Sequence, residues 1–167
     1  MSKLKQRVEF LANVAIIVVA VALCAVLVKQ YFFAGPTTPA QQRPAVGAKI
    51  ALPGVDLASQ DKTLLLVLQK GCHYCSESAP FYQRLAREAA DKAGQVKVVA
   101  VLPQAVDEGR SYLSELGVPA LDVRQAQLGA LSVGGTPTII MVSRGTVTDV
   151  WVGKLDAAGE SQVLSKL

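Results

Sequence analysis

Cys72-His73-Tyr74-Cys75 sets two thiols three positions apart, a spacing at which a thiol pair can exchange with disulfides or hold a soft metal ion. Two neighbouring patterns place it. Leu64 to Leu68 is an unbroken apolar run of the kind that makes a fully buried strand, and beyond Cys75 the apolar Phe81, Leu85 and Ala89 recur at helical spacing. The motif therefore sits at a helix N-terminus, where unpaired main-chain N–H groups and the positive end of the helix dipole favour a thiolate at Cys72. A thiolate is the nucleophile that disulfide exchange needs.

The metal alternatives are limited by the ligand inventory. A closed zinc site takes four ligands, and the exported region offers Cys72, Cys75 and His73, the one histidine of the chain. Copper(I) needs fewer soft ligands and stays as the competing use of the same two sulfurs, that of a binding module. The expectation is no metal and no cofactor beyond a Cys72–Cys75 disulfide. His73 and Tyr74, lying between the cysteines, are the candidates for redox tuning: a cationic group at His73 would stabilise the thiolate and make the disulfide more oxidising. Glu77 reads as a residue that caps or solvates the first helical turn.

These residues need a frame. A lead-in from Val46 to Asp61 precedes the buried strand, and the helix behind the motif runs to about Ala93, ended by Gly94. A strand at Val96 to Leu102, a helix at Val106 to Leu116, a short strand at Ala120 to Val123 and a short helix at Gln125 to Leu131 follow. Gly134-Gly135 breaks the chain. Thr138 to Val142 and Val147 to Val152, joined by Ser143-Arg144-Gly145, make a hairpin, and a last helix spans Leu155 to Leu167. Strands alternating with helices and then a hairpin predict an α/β fold: a mixed central sheet with helices on both faces, parallel in the middle and antiparallel at one edge.

The front of the chain differs in kind. Phe10 to Val28 is a run of 19 residues with no charge, long enough to cross a hydrocarbon core of roughly 30 Å, so 10–28 reads as a single transmembrane helix. Lys3, Lys5 and Arg7 against Glu9 place segment 1–9 in the cytoplasm and the remainder outside. A cleaved signal peptide shares the basic start, but this apolar run exceeds the usual 7 to 15 residues of such a core. Cys24 reads as a filler of the membrane helix. Segment 29–45 holds Pro36, Pro39 and Pro44 among small and polar residues and reads as a tether, leaving 46–167 as the globular domain. Most of the formal net charge of +4 belongs to the anchor and its flanks. The exported part is near neutral with scattered charges, which excludes a nucleic-acid footprint. Its cysteines would face an oxidising compartment, the periplasm or its equivalent outside a bacterial cytoplasmic membrane.

With the thiol pair at a helix start, Pro80 five residues after Cys75, and Gly135-Thr136-Pro137 opening a hairpin, the chain resembles the thioredoxin superfamily over roughly Val46 to Leu167. The lead-in and the extra helix and strand between Gln104 and Val123 look most like the membrane-anchored extracytoplasmic TlpA/ResA type. The resemblance implies a thioredoxin fold and a protein disulfide oxidoreductase. Cys72 would be the attacking thiolate and Cys75 the resolving thiol. Pro137 would follow a cis peptide bond, and Thr136 would pair its main chain with substrate. Pro80 would be structural, kinking the helix. It further implies protein thiol or disulfide substrates, a membrane thiol carrier as electron donor and reductase as the direction. A dedicated maturation factor for one cytochrome c or metalloenzyme is a further alternative. The chain departs from the family pattern twice: Gly71 stands where an aromatic residue commonly precedes the first cysteine, and Leu64 to Leu68 carries no acid where relatives bury a proton-transfer carboxylate.

Overall fold

The computed structural model describes residues 16–21, 23, 43–92, 95–118 and 121–167. The chain divides into two units, Met1–Thr38 and Pro39–Leu167. In the first, residues 16–21 and 23 are helical. Most of the apolar segment 10–28, with Cys24, lies outside the described residues, as do 1–9 and most of 29–45. Among the described residues no helix is long and apolar enough to cross a membrane.

The second unit is built on five strands: β1 (Thr63–Val67), β2 (Lys97–Leu102), β3 (Asp122–Gln125), β4 (Thr138–Ser143) and β5 (Thr146–Val152). Its helices are α1 (His73–Glu77), α2 (Ala79–Asp91), α3 (Val106–Glu115) and α4 (Ala157–Ser165), with a 3-10 turn at Leu128–Leu131. The strand order is β3-β2-β1-β4-β5, with β1, β2 and β3 parallel and β4 antiparallel to both β1 and β5. This is the mixed sheet that the sequence predicts. β1 is central, and Leu64 to Leu68 are all completely buried, which is why that run alternates with nothing polar.

Each strand sends alternate residues to opposite faces. Leu64, Leu66 and Leu68, with Val98, Ala100, Leu102, Ile139 and Met141, pack under Phe81, Tyr82 and Leu85 of α2, Tyr112 and Leu113 of α3, and Val163 of α4. The other face carries Leu65, Val67, Val99, Val101, Ile140 and Val142. It is closed by Leu52 and Leu57 of the lead-in and by Leu131 and Val133 around the 3-10 turn. The helix expected at Gln125 to Leu131 is thus a single tight turn, ended by Ser132 with a φ of 54°.

Helix α3 lies close to the sheet because Gly109 has no side chain: a Cβ there would stand 3.0 Å from a Val123 methyl and 3.4 Å from a Leu102 methyl. The β4–β5 connection is a two-residue turn in which Arg144 and Gly145 both have positive φ, 47° and 77°, the handedness that matches strand twist. The lead-in runs beside β5, with Gly47 N–H donating to Val147 O at 2.8 Å and Val147 N–H to Ala48 O at 2.9 Å.

Candidate active site

Both thiols of the motif are free. They sit at the carboxyl end of β1, on a helix shorter than the sequence suggests. The expected continuous helix with a kink at Pro80 is instead two helices: α1 has five residues and ends at Ser78, and α2 starts at Ala79. The reason is chemical. Pro80 has no N–H, so it cannot continue the hydrogen-bonding ladder of α1, but it is well suited to the first turn of a new helix, where that N–H would be unpaired anyway. Ser78 joins the two: its main-chain N–H donates to Tyr74 O at 3.1 Å and its carbonyl accepts from Phe81 N–H at 3.0 Å and Tyr82 N–H at 3.2 Å. Its hydroxyl also donates to Tyr74 O, at 2.8 Å.

Cys72 caps α1 with its own side chain, the Sγ accepting the Cys75 N–H at 3.2 Å. A helix this short has a weak macrodipole, so the local N–H is the stronger influence on the sulfur. On its other side the Cys72 thiol donates to the Thr136 carbonyl at 3.3 Å. Cys72 is half-buried, whereas Cys75 is fully buried. Burial pushes the Cys75 thiol up to about 12, with the Cys72 sulfur adding to the rise and the Gln69 main chain and Thr136 side chain working against it.

The Thr136–Pro137 peptide is cis, the geometry the resemblance implies. The bend is tied on both sides. The Thr138 hydroxyl donates to Gly135 O at 2.8 Å, and Gly153 N–H donates to Pro137 O at 2.7 Å. Pro137 is buried, and Thr136 is half-buried against Cys72. Gly71, just before the thiol pair, has a φ of 82° with open space where a Cβ would stand. Backbone conformation, not room, is what favours glycine there.

His73 and Tyr74 project outward: the His73 side chain is 78% exposed and Tyr74 is 57% exposed. His73 Nε2 lies 3.0 Å from Glu77 Oε1, and the other oxygen of Glu77 lies 2.9 Å from Lys154 Nζ. Glu77 is therefore an ion-pair bridge from α1 to the segment after β5. Lys154, with a smaller contribution from His73, holds its carboxyl below the usual range. A second tie reaches Lys70 on the near side of the motif, whose ammonium lies 3.0 Å from Glu108 of α3.

Sequence reasoning names Cys72, Cys75, His73, Tyr74, Thr136 and Pro137, and the fold brings all six to one end of the sheet. It gives no hint of Lys154, since 77 positions separate that residue from Glu77. Tyr82 and Tyr112, to which the sequence assigns no role beyond packing, are buried in the core on the cysteine-bearing side. Among the described residues no three His, Cys, Asp or Glu side chains gather in a group that could hold a metal.

No known family profile and no curated protein matches the chain. Solved structures do. A protein assigned as the thiol:disulfide interchange protein DsbE from Chlorobium tepidum is 24% identical with a TM-score of 0.56, the alignment covering 74% of this chain and 95% of that one. A thiol:disulfide interchange protein from Bacteroides sp. is 18% identical with a TM-score of 0.56, covering 74% and 90%. StoA from Bacillus subtilis is 15% identical with a TM-score of 0.52, covering 76% and 98%. The chain has a thioredoxin-like fold.

Proposed function

We propose that this thioredoxin-fold chain is a thiol-disulfide oxidoreductase that acts on cysteines of protein substrates through Cys72 and Cys75. The observation that carries the reading is the setting of Cys72: a half-buried sulfur that accepts the Cys75 N–H at 3.2 Å and faces the Thr136 carbonyl, at 3.3 Å, beside a cis proline. The two sulfurs differ in access, and burial keeps the Cys75 thiol protonated until the second step. Cys72 as thiolate attacks one sulfur of a substrate disulfide, forming a mixed disulfide and releasing the other sulfur as a thiol. Cys75, sealed in the core, then attacks Cys72 Sγ, closes the Cys72–Cys75 disulfide and frees the second substrate thiol. Two electrons pass from the protein to the substrate, and two protons end on its thiols.

Reductase is the favoured direction, with a membrane thiol carrier returning electrons to the oxidised pair. The proposal extends to location. The uncharged segment 10–28 anchors the chain in a bacterial cytoplasmic membrane, 1–9 stays inside, 29–45 is a tether, and 46–167 works in the periplasm or its equivalent. His73 tunes the potential, Tyr74 lies beside it, and the Thr136 main chain pairs with extended substrate.

Reduction of insulin disulfides with a thiol donor tests the activity. The chain should turn over, and Cys72→Ser should abolish turnover. A chain that binds copper(I) tightly and leaves insulin intact is a metal-binding module and overturns the reading.

A further inference from the structure

We propose that Lys154 is a positioning residue: by gripping Glu77 it clasps the cysteine-bearing helix α1 to the cis-proline bend and fixes how a polypeptide substrate lies against the two. The inference rests on the oxidoreductase reading above and concerns the alignment of its substrate.

The bonds close a ring. Cys72 Sγ donates to Thr136 O across 3.3 Å, and the cis peptide leads from Thr136 to Pro137. Pro137 O accepts the Gly153 N–H at 2.7 Å. The next residue along the chain is Lys154, whose ammonium lies 2.9 Å from Glu77 Oε2. Glu77 is the last residue of α1, and Cys72 is the cap of that helix. Each junction of the ring is a direct bond or a short stretch of continuous chain. The other ion pair beside the motif, Lys70 with Glu108, leads to α3 and not to the bend.

Helix α1 needs such a fastening. It has five residues, and Cys75 is its one buried residue. A helix this short is not held by its own hydrogen bonds, so its direction depends on what its ends are tied to. Ser78 ties its end to α2, and the Glu77–Lys154 pair ties the same end to the segment leaving β5. The Lys154 side chain is 50% exposed and that of Glu77 is 37% exposed, and an ion pair this open to water adds little to stability. Alignment is a different matter, because a small misplacement of reacting groups costs far more in rate than in folding energy. His73 does not displace the lysine: it takes Glu77 Oε1, at 3.0 Å, and leaves Oε2 to Lys154. Lys154 is also the larger influence holding the Glu77 carboxyl below its usual range, so Glu77 is an anion at neutral pH.

The test uses the full chain carrying Cys24→Ser, with insulin as the polypeptide substrate and 4,4′-dithiodipyridine, an uncharged disulfide with no main chain to pair, as the small one. Lys154→Met should lower kcat/KM for insulin about threefold, while attack of the reduced chain on 4,4′-dithiodipyridine stays within about 1.5-fold of the parent. Lys154→Arg keeps the cation and should restore the parent value. Lys154→Glu should lose more than Lys154→Met, and adding Glu77→Lys, which reverses the pair, should recover activity on insulin. Insulin reduction that is unchanged in Lys154→Met overturns the inference, as do equal slowing with both disulfides and a reversed pair no better than Lys154→Glu alone. Should the reversed pair not fold, Lys154→Met and Lys154→Arg decide the matter between them. A parent chain that leaves insulin intact sinks the oxidoreductase reading and this inference together, an outcome distinct from parent and Lys154→Met reducing insulin alike.

Discussion

The Cys72 thiol donates to the main-chain carbonyl of Thr136 across 3.3 Å, joining the helix that carries the sulfurs to the cis-proline bend 64 positions away. That bond exists only while Cys72 is protonated. The Cys75 N–H at 3.2 Å, in contrast, supports the ionised sulfur. Ionisation of Cys72 therefore frees the Thr136 carbonyl.

The first prediction concerns the order of events at the two sulfurs. Cys75→Ser should leave attack by Cys72 intact and accumulate mixed disulfides with protein substrates, visible as bands that collapse on reduction. Cys72→Ser should accumulate none, because the sulfur left behind is fully buried. Mixed disulfides that form through Cys75 would contradict the assignment.

A second follows from the raised Cys75 thiol, at about 12 in the fold against roughly 8.5 for a free cysteine. The folded state holds this proton more tightly than the unfolded chain does. The resulting stability is complete below about pH 8.5 and is lost progressively as pH climbs toward 12. The denaturation midpoint of the dithiol form should fall over that range, and Cys75→Ala should flatten the fall. At neutral pH, iodoacetamide should label Cys72 in the native domain and spare Cys75 until the domain unfolds, as peptide mapping would show.

Glu77 and His73 should move the reduction potential in opposite senses. Glu77→Gln removes an anion one turn along from the thiolate and should make the disulfide more oxidising. His73→Ala removes a group that can be cationic and should make it more reducing. Both groups are solvated, so each shift is on the order of 10 mV in a glutathione titration. Shifts of the same sign would refute the charge argument.

At Gly109 the expectation concerns stability. Gly109→Val would drive a branched side chain into the Val123 and Leu102 methyls at 3.0 and 3.4 Å. The cost of such overpacking is about 1–3 kcal/mol. Urea denaturation should show that loss, while insulin reduction by the folded fraction stays near the parent value.

Much of this arrangement is legible in the sequence, and the reasons are physical. β1 stands out because a strand covered on both faces can carry apolar residues at every position. The hairpin is announced by Arg144-Gly145, and the bend at Thr136-Pro137 by a proline placed where a strand is about to begin. The break at Ser78 is not legible, since proline permits both a kinked helix and a fresh first turn, and tertiary packing of Phe81 and Tyr82 selects the second. Pairings such as Lys154 with Glu77 are invisible for another reason: they depend on which chain ends meet in space. The closure of the second face by a lead-in and one 3-10 turn is hidden likewise, because short apolar stretches do not declare their periodicity.

The lead-in main chain beside the start of β5 has a further consequence for the margins of the sheet. An uncovered outer strand offers a row of unpaired N–H and C=O groups to any extended chain, which invites aggregation. Here the first residues of one border, Gly145 to Val147, are bonded to Gly47, Ala48 and Ile50 of the lead-in. The opposite border is the four-residue β3, whose Asp122 and Arg124 form an ion pair. Both margins thus resist pairing with the sheet of a second copy, so crowding of the domain need not end in adhesion.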